Sequence, residues 1–192
     1  MRKIYLFLSL SLDGYFEGPN HDLSWHNIDS ESNKFAIEQL KETDLYLFGR
    51  RVYRLMEATW PKIARDPSAS EENLEIARLI NDTPKIVFSK TLQSVKETEE
   101  WRNVKLVRKF EPAEIRRLKE QPGKDICVGG PNLARSFVKA GMVDEFRFLV
   151  TPVIVGRGTP IFDRMGGLKL EFVNTRQFDS GNVLLRYRPG RA

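Results

Sequence analysis

The segment ICVGGPNLARSFVKAGMVDEF, residues 126–146, holds the pattern on which the fold depends. A short apolar run ends at Gly129 and Gly130, Pro131 follows, and apolar residues then recur at helical spacing. Glycine allows a sharp turn, and proline suits the first turn of a helix. The segment therefore predicts a strand, a turn and a helix whose first N–H groups favour an anion. Taken alone, the glycine pair is equally consistent with a turn that binds nothing.

Strands and helices alternate on both sides of this segment. Residues 4–12 have apolar side chains on one face and largely apolar ones on the other, as a central strand does. A closing hairpin is expected at 168–189, with its turn near Ser180 and Gly181. The segment 60–70, with two prolines, is predicted to be a surface loop. Further strands are expected at 45–48, 85–88, 103–107, 125–128 and 144–156, and helices at 29–44, from Arg50, near 70–80, at 111–121 and at 132–140.

This order predicts an α/β fold with a mixed, mostly parallel sheet covered by helices on both faces. A chain of 192 residues fits one domain, so we expect a single domain over 1–192. The one cysteine, Cys127, cannot form an internal disulfide and is expected to be buried. The apolar start ends at Asp13 without a cleavage pattern, and no apolar stretch approaches the roughly 18 residues of a membrane span. We therefore expect a soluble cytoplasmic protein.

The charge is distributed unevenly along the chain. The net charge is +5, with −4 in residues 1–100 and +9 in residues 101–192. Such a balance is compatible with an anionic ligand or a nucleic acid. The basic residues of the second half alternate with acidic and apolar ones, which is more typical of solvated helix faces than of a surface that follows a phosphate backbone. We therefore expect no nucleic-acid partner.

Several candidate ligand-binding residues follow directly after predicted strands, where open parallel sheets bind ligands. Arg50 and Arg51 come after Gly49 and could bind a phosphate, although a solvated pair is the simpler interpretation. Ser89 and Lys90 follow the strand at 85–88 and form a weak signal by themselves.

Acidic and aromatic candidates follow the first strand. Asp13 precedes a glycine, which is typical of a turn, but a carboxylate at a strand end can also serve as an acid. Asp22 and Trp25 lie in the next loop with two histidines, whose spacing of five residues matches no helical metal pair. We predict no metal site.

The sequence lacks the nucleophile elbow of hydrolases, the Walker phosphate loop and the zinc deaminase signature. It also lacks the G-x-G-x-x-G dinucleotide fingerprint. The predicted crevice therefore has few catalytic side chains but many groups that can donate hydrogen bonds to a phosphate. That combination suits a redox enzyme in which the cofactor supplies the chemistry.

Five motifs occur in an order that resembles the dihydrofolate reductase superfamily, and specifically single-domain relatives of the reductase domain of the bifunctional riboflavin-biosynthesis deaminase-reductase. The resemblance extends from about Lys3 to Tyr187. The motifs are SLDGYFEG (11–18), LFGRRVY (47–53), IVFSKTL (86–92), VGGPNLARSFVKAGMVDEF (128–146) and TPVIVGRGTPIF (151–162).

The resemblance implies a sheet of about eight strands and a site for NADPH. Arg50 matches the position that meets the 2′-phosphate, with Gly49 before it and Arg51 nearby, while Ser89 and Lys90 flank the adenosine end. The pyrophosphate loop corresponds to Gly129, Gly130, Asn132 and Leu133.

Other implications concern the backbone and the substrate. The peptide between Gly129 and Gly130 becomes a candidate for a cis bond, because the matching pair in dihydrofolate reductases is cis. Asp13 is expected beside the substrate as a proton donor with a raised pKa, and Asp22 and Trp25 are expected to contact the substrate.

The resemblance implies an NADPH-dependent reductase of a C=N bond in a pterin-like or aminopyrimidine substrate, such as 5-amino-6-(5-phosphoribosylamino)uracil. It also implies a homodimer. Relatives commonly read GRRTYE where this chain has GRRVYR, so Val52 lacks a hydroxyl and Arg54 reverses a charge. A non-catalytic nucleotide-binding module of the same fold is the alternative.

Overall fold

The computed structural model describes residues 1–163 and 166–190, and its centre is an eight-stranded sheet. The strand order is β5-β4-β3-β6-β1-β7-β10-β9, and β2 and β8 pair separately. The strands are β1 (Ile4–Ser11), β2 (Tyr15–Glu17), β3 (Thr43–Gly49), β4 (Lys85–Phe88), β5 (Val104–Val107), β6 (Asp125–Gly129), β7 (Glu145–Thr151), β8 (Thr159–Pro160), β9 (Leu170–Gln177) and β10 (Val183–Pro189). The helices are α1 (Ser30–Lys41), α2 (Arg50–Ile63), α3 (Glu71–Asp82), α4 (Pro112–Glu120) and α5 (Pro131–Lys139).

The alternation of side chains along β1 builds the layers on both faces of the sheet. Ile4, Leu6 and Leu8 pack with residues of α4 and α5 in one core. Tyr5, on the opposite face, packs with residues of α1, α2 and α3 in a second core. Because successive strand residues point to opposite faces, one apolar strand serves both cores. The predicted three-layer α/β architecture is confirmed.

Six neighbouring strands, from β5 to β7, run parallel, and the antiparallel pair β10 and β9 extends the sheet beyond β7. The closing hairpin turns at Gly181, which has a φ of +84°. Its predicted turn is therefore confirmed. Cys127 is buried in β6, as expected, and burial raises the pKa of its thiol to about 12.

Two predicted boundaries are wrong. Helix α2 continues through Pro61 to Ile63, where a loop was expected. Trp60 packs against the second core, and its indole N–H points at the sulfur of Met56 at 3.0 Å, so tertiary contacts extend the helix past the proline. Strand β7 ends at Thr151 rather than near residue 156, because Pro152 has no N–H with which to continue a sheet.

The carboxyl ends of the parallel strands all lie on the same side of the sheet. The residues that follow β1, β3, β4, β5 and β6 are therefore brought close together although they are far apart in sequence. No helix in the described ranges is long and apolar enough to cross a membrane.

Candidate functional site

A cleft of about 350 Å³ lies at the carboxyl ends of β3, β4 and β6. The structure brings together here all nine residues that the sequence assigned to cofactor binding. These residues are Gly49, Arg50, Arg51, Ser89, Lys90, Gly129, Gly130, Asn132 and Leu133.

Two helices begin at this cleft without a side-chain cap. Gly49 precedes α2 and Gly130 precedes α5, and neither glycine can offer a capping oxygen from a side chain. The first N–H groups of a helix have no partner within the helix, and they carry its positive partial charge. The cleft therefore presents two sets of backbone donors that suit an anionic ligand.

Four cationic side chains line the same cleft, and they are held differently. Arg50 is exposed and donates to the Thr91 hydroxyl at 2.8 Å. Lys90 is exposed as well. Arg108, which the sequence reasoning missed, donates to the backbone oxygen of Ser89 at 3.2 Å and also to the carbonyl of Leu92. Its position directly after β5 was the signal that could have identified it.

Arg51 is bound to an acidic partner. Its Nη2 lies 2.5 Å from Oε2 of Glu17, a buried carboxylate that also accepts from the Thr159 hydroxyl. Burial by itself raises the pKa of Glu17, but the hydrogen bonds from Arg51 and Thr159 outweigh it and keep the pKa below its usual value. Arg51 therefore joins α2 to the small β2–β8 sheet, which leaves Arg50 as the freer of the two arginines.

Ser89 has a structural use at the turn after β4. Its buried hydroxyl oxygen accepts from the N–H of Leu92 at 3.0 Å and of Thr91 at 3.3 Å. The hydroxyl thus fixes the turn that carries Lys90 and Thr91 at the rim of the cleft.

The glycine pair is required by close packing. Gly130 has a φ of +91°, and a Cβ built there would lie 2.5 Å from Cγ2 of Val52 in α2. A Cβ on Gly129 would lie 3.0 Å from the ring of Phe48. The Gly129–Gly130 peptide is trans, so the expected cis bond is wrong. The positive φ of Gly130 provides the sharp turn in its place.

A second cavity, of about 320 Å³, adjoins the cleft. Both spaces are lined by Phe16, Val52, Gly129 and Gly130. Most other residues around the second cavity are apolar or aromatic and come from β1, α1, α2 and α3. The glycine pair therefore separates a cationic cleft from an apolar cavity.

Asp13 lies outside the lining of both spaces and is exposed. Its carboxylate accepts from the N–H of Val155 at 3.1 Å and of Gly156 at 2.7 Å. Ser11 and these N–H groups hold the pKa of Asp13 below its usual value. The expected raised pKa is wrong, because the carboxylate is solvated and stabilised as an anion. The structure does not test its predicted catalytic role, and these contacts favour a structural one.

Asp22 and Trp25 also lie outside both linings, whereas their neighbours Leu23 and His26 line the second cavity. Asp22 accepts from the N–H of Ser24 at 2.9 Å, and the Trp25 indole donates to the backbone oxygen of Asp22 at 3.2 Å. The contacts of Asp22 and Trp25 therefore shape the loop that places His26. Their direct contact with a substrate stays a prediction.

Comparison with known proteins identifies the family of this chain. The family model described as the RibD C-terminal domain matches residues 2–184. The chain belongs to the RibD C-terminal domain family. The resemblance inferred from the five motifs is thereby confirmed.

A curated relative of this RibD C-terminal domain protein is the uncharacterized protein YyaP of Bacillus subtilis (strain 168). The two are 35% identical over 188 residues, which is 97% of this chain and 94% of YyaP. A putative riboflavin biosynthesis protein from Shewanella sp. PV-4 has a similar structure, with a TM-score of 0.73, 20% identity and coverage of 98% and 99% of the two chains. Dihydrofolate reductase from Enterococcus faecalis, solved with NADP(H), gives a TM-score of 0.60 at 14% identity, with coverage of 98% and 97%.

The two structural likenesses confirm the dihydrofolate reductase-like fold. Membership of the RibD C-terminal domain family supports a reductase-like role for the chain.

Proposed function

We propose that the protein is an NADPH-dependent reductase that transfers hydride to a C=N bond of a small heterocyclic substrate. The proposal rests on one observation: the cationic cleft and the apolar second cavity adjoin at Gly129 and Gly130. One space has cations and uncapped helix starts, and the other is apolar. A dinucleotide with phosphates at one end and a flat reactive ring at the other needs such a junction.

The residues of the cleft fit this cofactor. Arg50, with its exposed guanidinium, would hold the 2′-phosphate, and Lys90 and Ser89 would lie at the adenosine end. The backbone N–H groups of Asn132 and Leu133, at the uncapped start of α5, would bind the pyrophosphate. When bound, the cofactor supplies hydride chemistry that the side chains of the protein do not provide.

The preference for NADPH over NADH tests the cofactor assignment. Arg50 has a clear use only when a 2′-phosphate is present, so we expect tighter binding of NADPH. A hydrogen bond to a charged group contributes about 1.5–3 kcal/mol, so Arg50→Ala should reduce the preference by about 10- to 150-fold. Calorimetric titration with both nucleotides measures this preference in the wild type and in the variant.

Arg54→Ala is the matched control for this experiment. Arg54 is exposed on the same helix, pairs with Glu57 at 2.6 Å and does not line the cleft. Its replacement should leave the preference unchanged. Equal affinities for NADPH and NADH in the unmodified protein would contradict the assignment.

A non-catalytic nucleotide-binding module is the second candidate. It is favoured by one observation: Asp13, the predicted proton donor, lies outside both spaces. Oxidation of NADPH in the presence of candidate heterocycles distinguishes the two functions.

The sequence resemblance points to pterin-like or aminopyrimidine heterocycles. We propose that the protein acts on them in the cytoplasm as a homodimer.

A further inference from the structure

The lining of the second cavity contains no charged side chain among the residues that the structure describes. Aspartate, glutamate, lysine and arginine are all absent from it. The basic residues that line the neighbouring cleft, including Arg50, Lys90 and Arg108, do not reach this lining. Charge is therefore divided between the two spaces: anions suit the cleft, and the cavity has no counter-charge for an ionised group.

Buried charges near the cavity are already paired. Arg147 donates to the carboxylate of Glu145 at 2.6 Å and to the side-chain oxygen of Gln39 at 3.2 Å. Its guanidinium carbon lies 3.9 Å from the centre of the Tyr5 ring, and Arg147 and Tyr5 are both outside the lining. Arg147 is thus neutralised in place and is not available to a ligand.

His26 lines the cavity, and among the described lining residues it is the one that could become charged near neutral pH. Burial lowers the pKa of its imidazole, although Asp22 opposes this shift. The ring is therefore neutral at pH 7. Its Nε2 is buried and has no hydrogen-bond partner.

One further polar side chain of the lining lacks a partner. Tyr46 is 5% exposed, and its phenol oxygen has no hydrogen-bond partner. A buried polar group without a partner is energetically unfavourable. Burial also raises the pKa of Tyr46 well above its usual value, so the phenol keeps the proton that it could donate. The phenol of Tyr46 is therefore suited to a ligand that carries a hydrogen-bond acceptor.

We propose that the second cavity binds an uncharged, planar, largely apolar heterocycle with one or two acceptor atoms, and that it disfavours phosphorylated or carboxylate-bearing compounds. An ionised group placed there would lose its hydration without gaining a counter-ion, which disfavours its binding. The assignment of the cavity as the substrate site rests on the proposed function. The inference narrows the substrate to compounds without the phosphoribosyl group of 5-amino-6-(5-phosphoribosylamino)uracil.

The reaction balances for such a substrate. The dihydronicotinamide is oxidised by two electrons as it gives hydride to the carbon of the C=N bond. The nitrogen takes one proton from solvent, and the product is the CH–NH compound. A neutral acceptor thus gives a neutral product.

Three probes with one ring system test the charge preference. Quinoxaline is neutral and has two C=N bonds, quinoxaline-2-carboxylate is an anion, and N-methylquinoxalinium is a cation. Calorimetric titration of the protein without NADPH should show that quinoxaline binds at least 10-fold more tightly than either ion. Equal or tighter binding of an ion, or no binding of quinoxaline, would overturn the proposal.

Two tyrosine variants test the unpartnered phenol. Tyr46→Phe should weaken quinoxaline binding by about 3- to 10-fold and raise the thermal midpoint of the free protein, because it removes a buried group that has no partner. Tyr5→Phe is the matched control. The Tyr5 hydroxyl lies 2.6 Å from Oγ1 of Thr43, and Tyr5 is outside the lining.

The Tyr5→Phe change should lower the thermal midpoint and leave quinoxaline binding unchanged. Unchanged binding in Tyr46→Phe would refute the role of the phenol.

NADPH titration on the same samples separates the two proposals. If quinoxaline binds and NADPH does not, the proposed function fails and the ligand class stands. If NADPH binds and quinoxaline does not, the ligand class fails alone.

Discussion

Asp13 has both carboxylate oxygens committed to backbone N–H groups of the segment that follows β7. This arrangement joins the end of β1 to that segment, and it uses the charge of the carboxylate rather than a proton. Arg108 is the converse case: it follows β5 but belongs to none of the five motifs, and the fold brings it to the cleft. At the scale of one residue, the surroundings decide which chemistry a side chain can perform.

The first prediction is that Asp13→Asn lowers the thermal midpoint at pH 7 and changes the rate of hydride transfer by less than about 2-fold. Asparagine keeps one acceptor oxygen but places an NH₂ group against the second backbone N–H. The pKa of Asp13 is lower in the folded state than its usual value of 3.8, so its stabilising effect is present above pH 3.8 and is lost as pH falls through the lowered value.

The stability difference between the wild type and Asp13→Asn should therefore shrink below about pH 4. Thermal unfolding followed by circular dichroism at several pH values measures this. A 100-fold loss of turnover in the variant, with an unchanged midpoint, would restore the catalytic role for Asp13.

The contact between α2 and the turn from β6 to α5 joins two elements that both begin at the cleft. Val52, in the first turn of α2, packs where a side chain on Gly130 would lie. The close approach brings the two uncapped helix starts into the same cleft. Val52 thus packs against the turn at Gly130, at the position where relatives commonly have threonine.

The second prediction concerns this contact. Gly130→Ala should lower the free energy of unfolding by about 2–4 kcal/mol, because it combines a strained positive φ with a steric overlap. It should also weaken NADPH binding, since the start of α5 must shift. Chemical denaturation and calorimetric titration measure the two effects.

Gly141→Ala is the control that separates the two causes. Gly141 also has a positive φ, +64°, but a Cβ there would meet no atom within 4 Å. Its replacement should cost only the backbone strain, about 1 kcal/mol, and leave NADPH binding unchanged. Equal costs at the two glycines would show that the contact with Val52 is unimportant.

For the molecule as a whole, one edge of the sheet presents exposed apolar side chains. Strand β9 forms one edge, and it exposes Phe172 at 61% and Val173 at 42% of their surfaces. Unpaired edge strands with apolar side chains favour pairing with another chain. This edge is therefore the surface on which we base the proposed homodimer.

The third prediction is that light scattering at micromolar concentration gives a mass twice that of the 22.2 kDa chain. Phe172→Lys should shift the protein towards the monomer, because it places a charge in the proposed interface. Leu74→Lys, at an exposed position on α3, is the control and should leave the mass unchanged. A monomeric wild type would remove the dimer from the proposal.

The sequence predicted the order of the main strands and helices and nine of the residues that line the cleft. Alternating apolar residues in β1 and the glycine turn before α5 are local patterns, and their backbone preferences survive in the fold. These nine residues were predictable because each lies at the end of a strand or at the start of a helix. Parallel strands bring such positions together by topology alone.

Only the folded structure could show the continuation of α2 past Pro61, the trans peptide at Gly129 and the lack of charged side chains among the described residues that line the second cavity. Each depends on residues distant in sequence: Trp60 packs on another layer, and the cavity lining comes from several elements. It also decided the state of Asp13, whose charge is stabilised by N–H groups more than 140 residues away. Local sequence carries backbone preference, whereas burial and counter-charge arise only when the chain is folded.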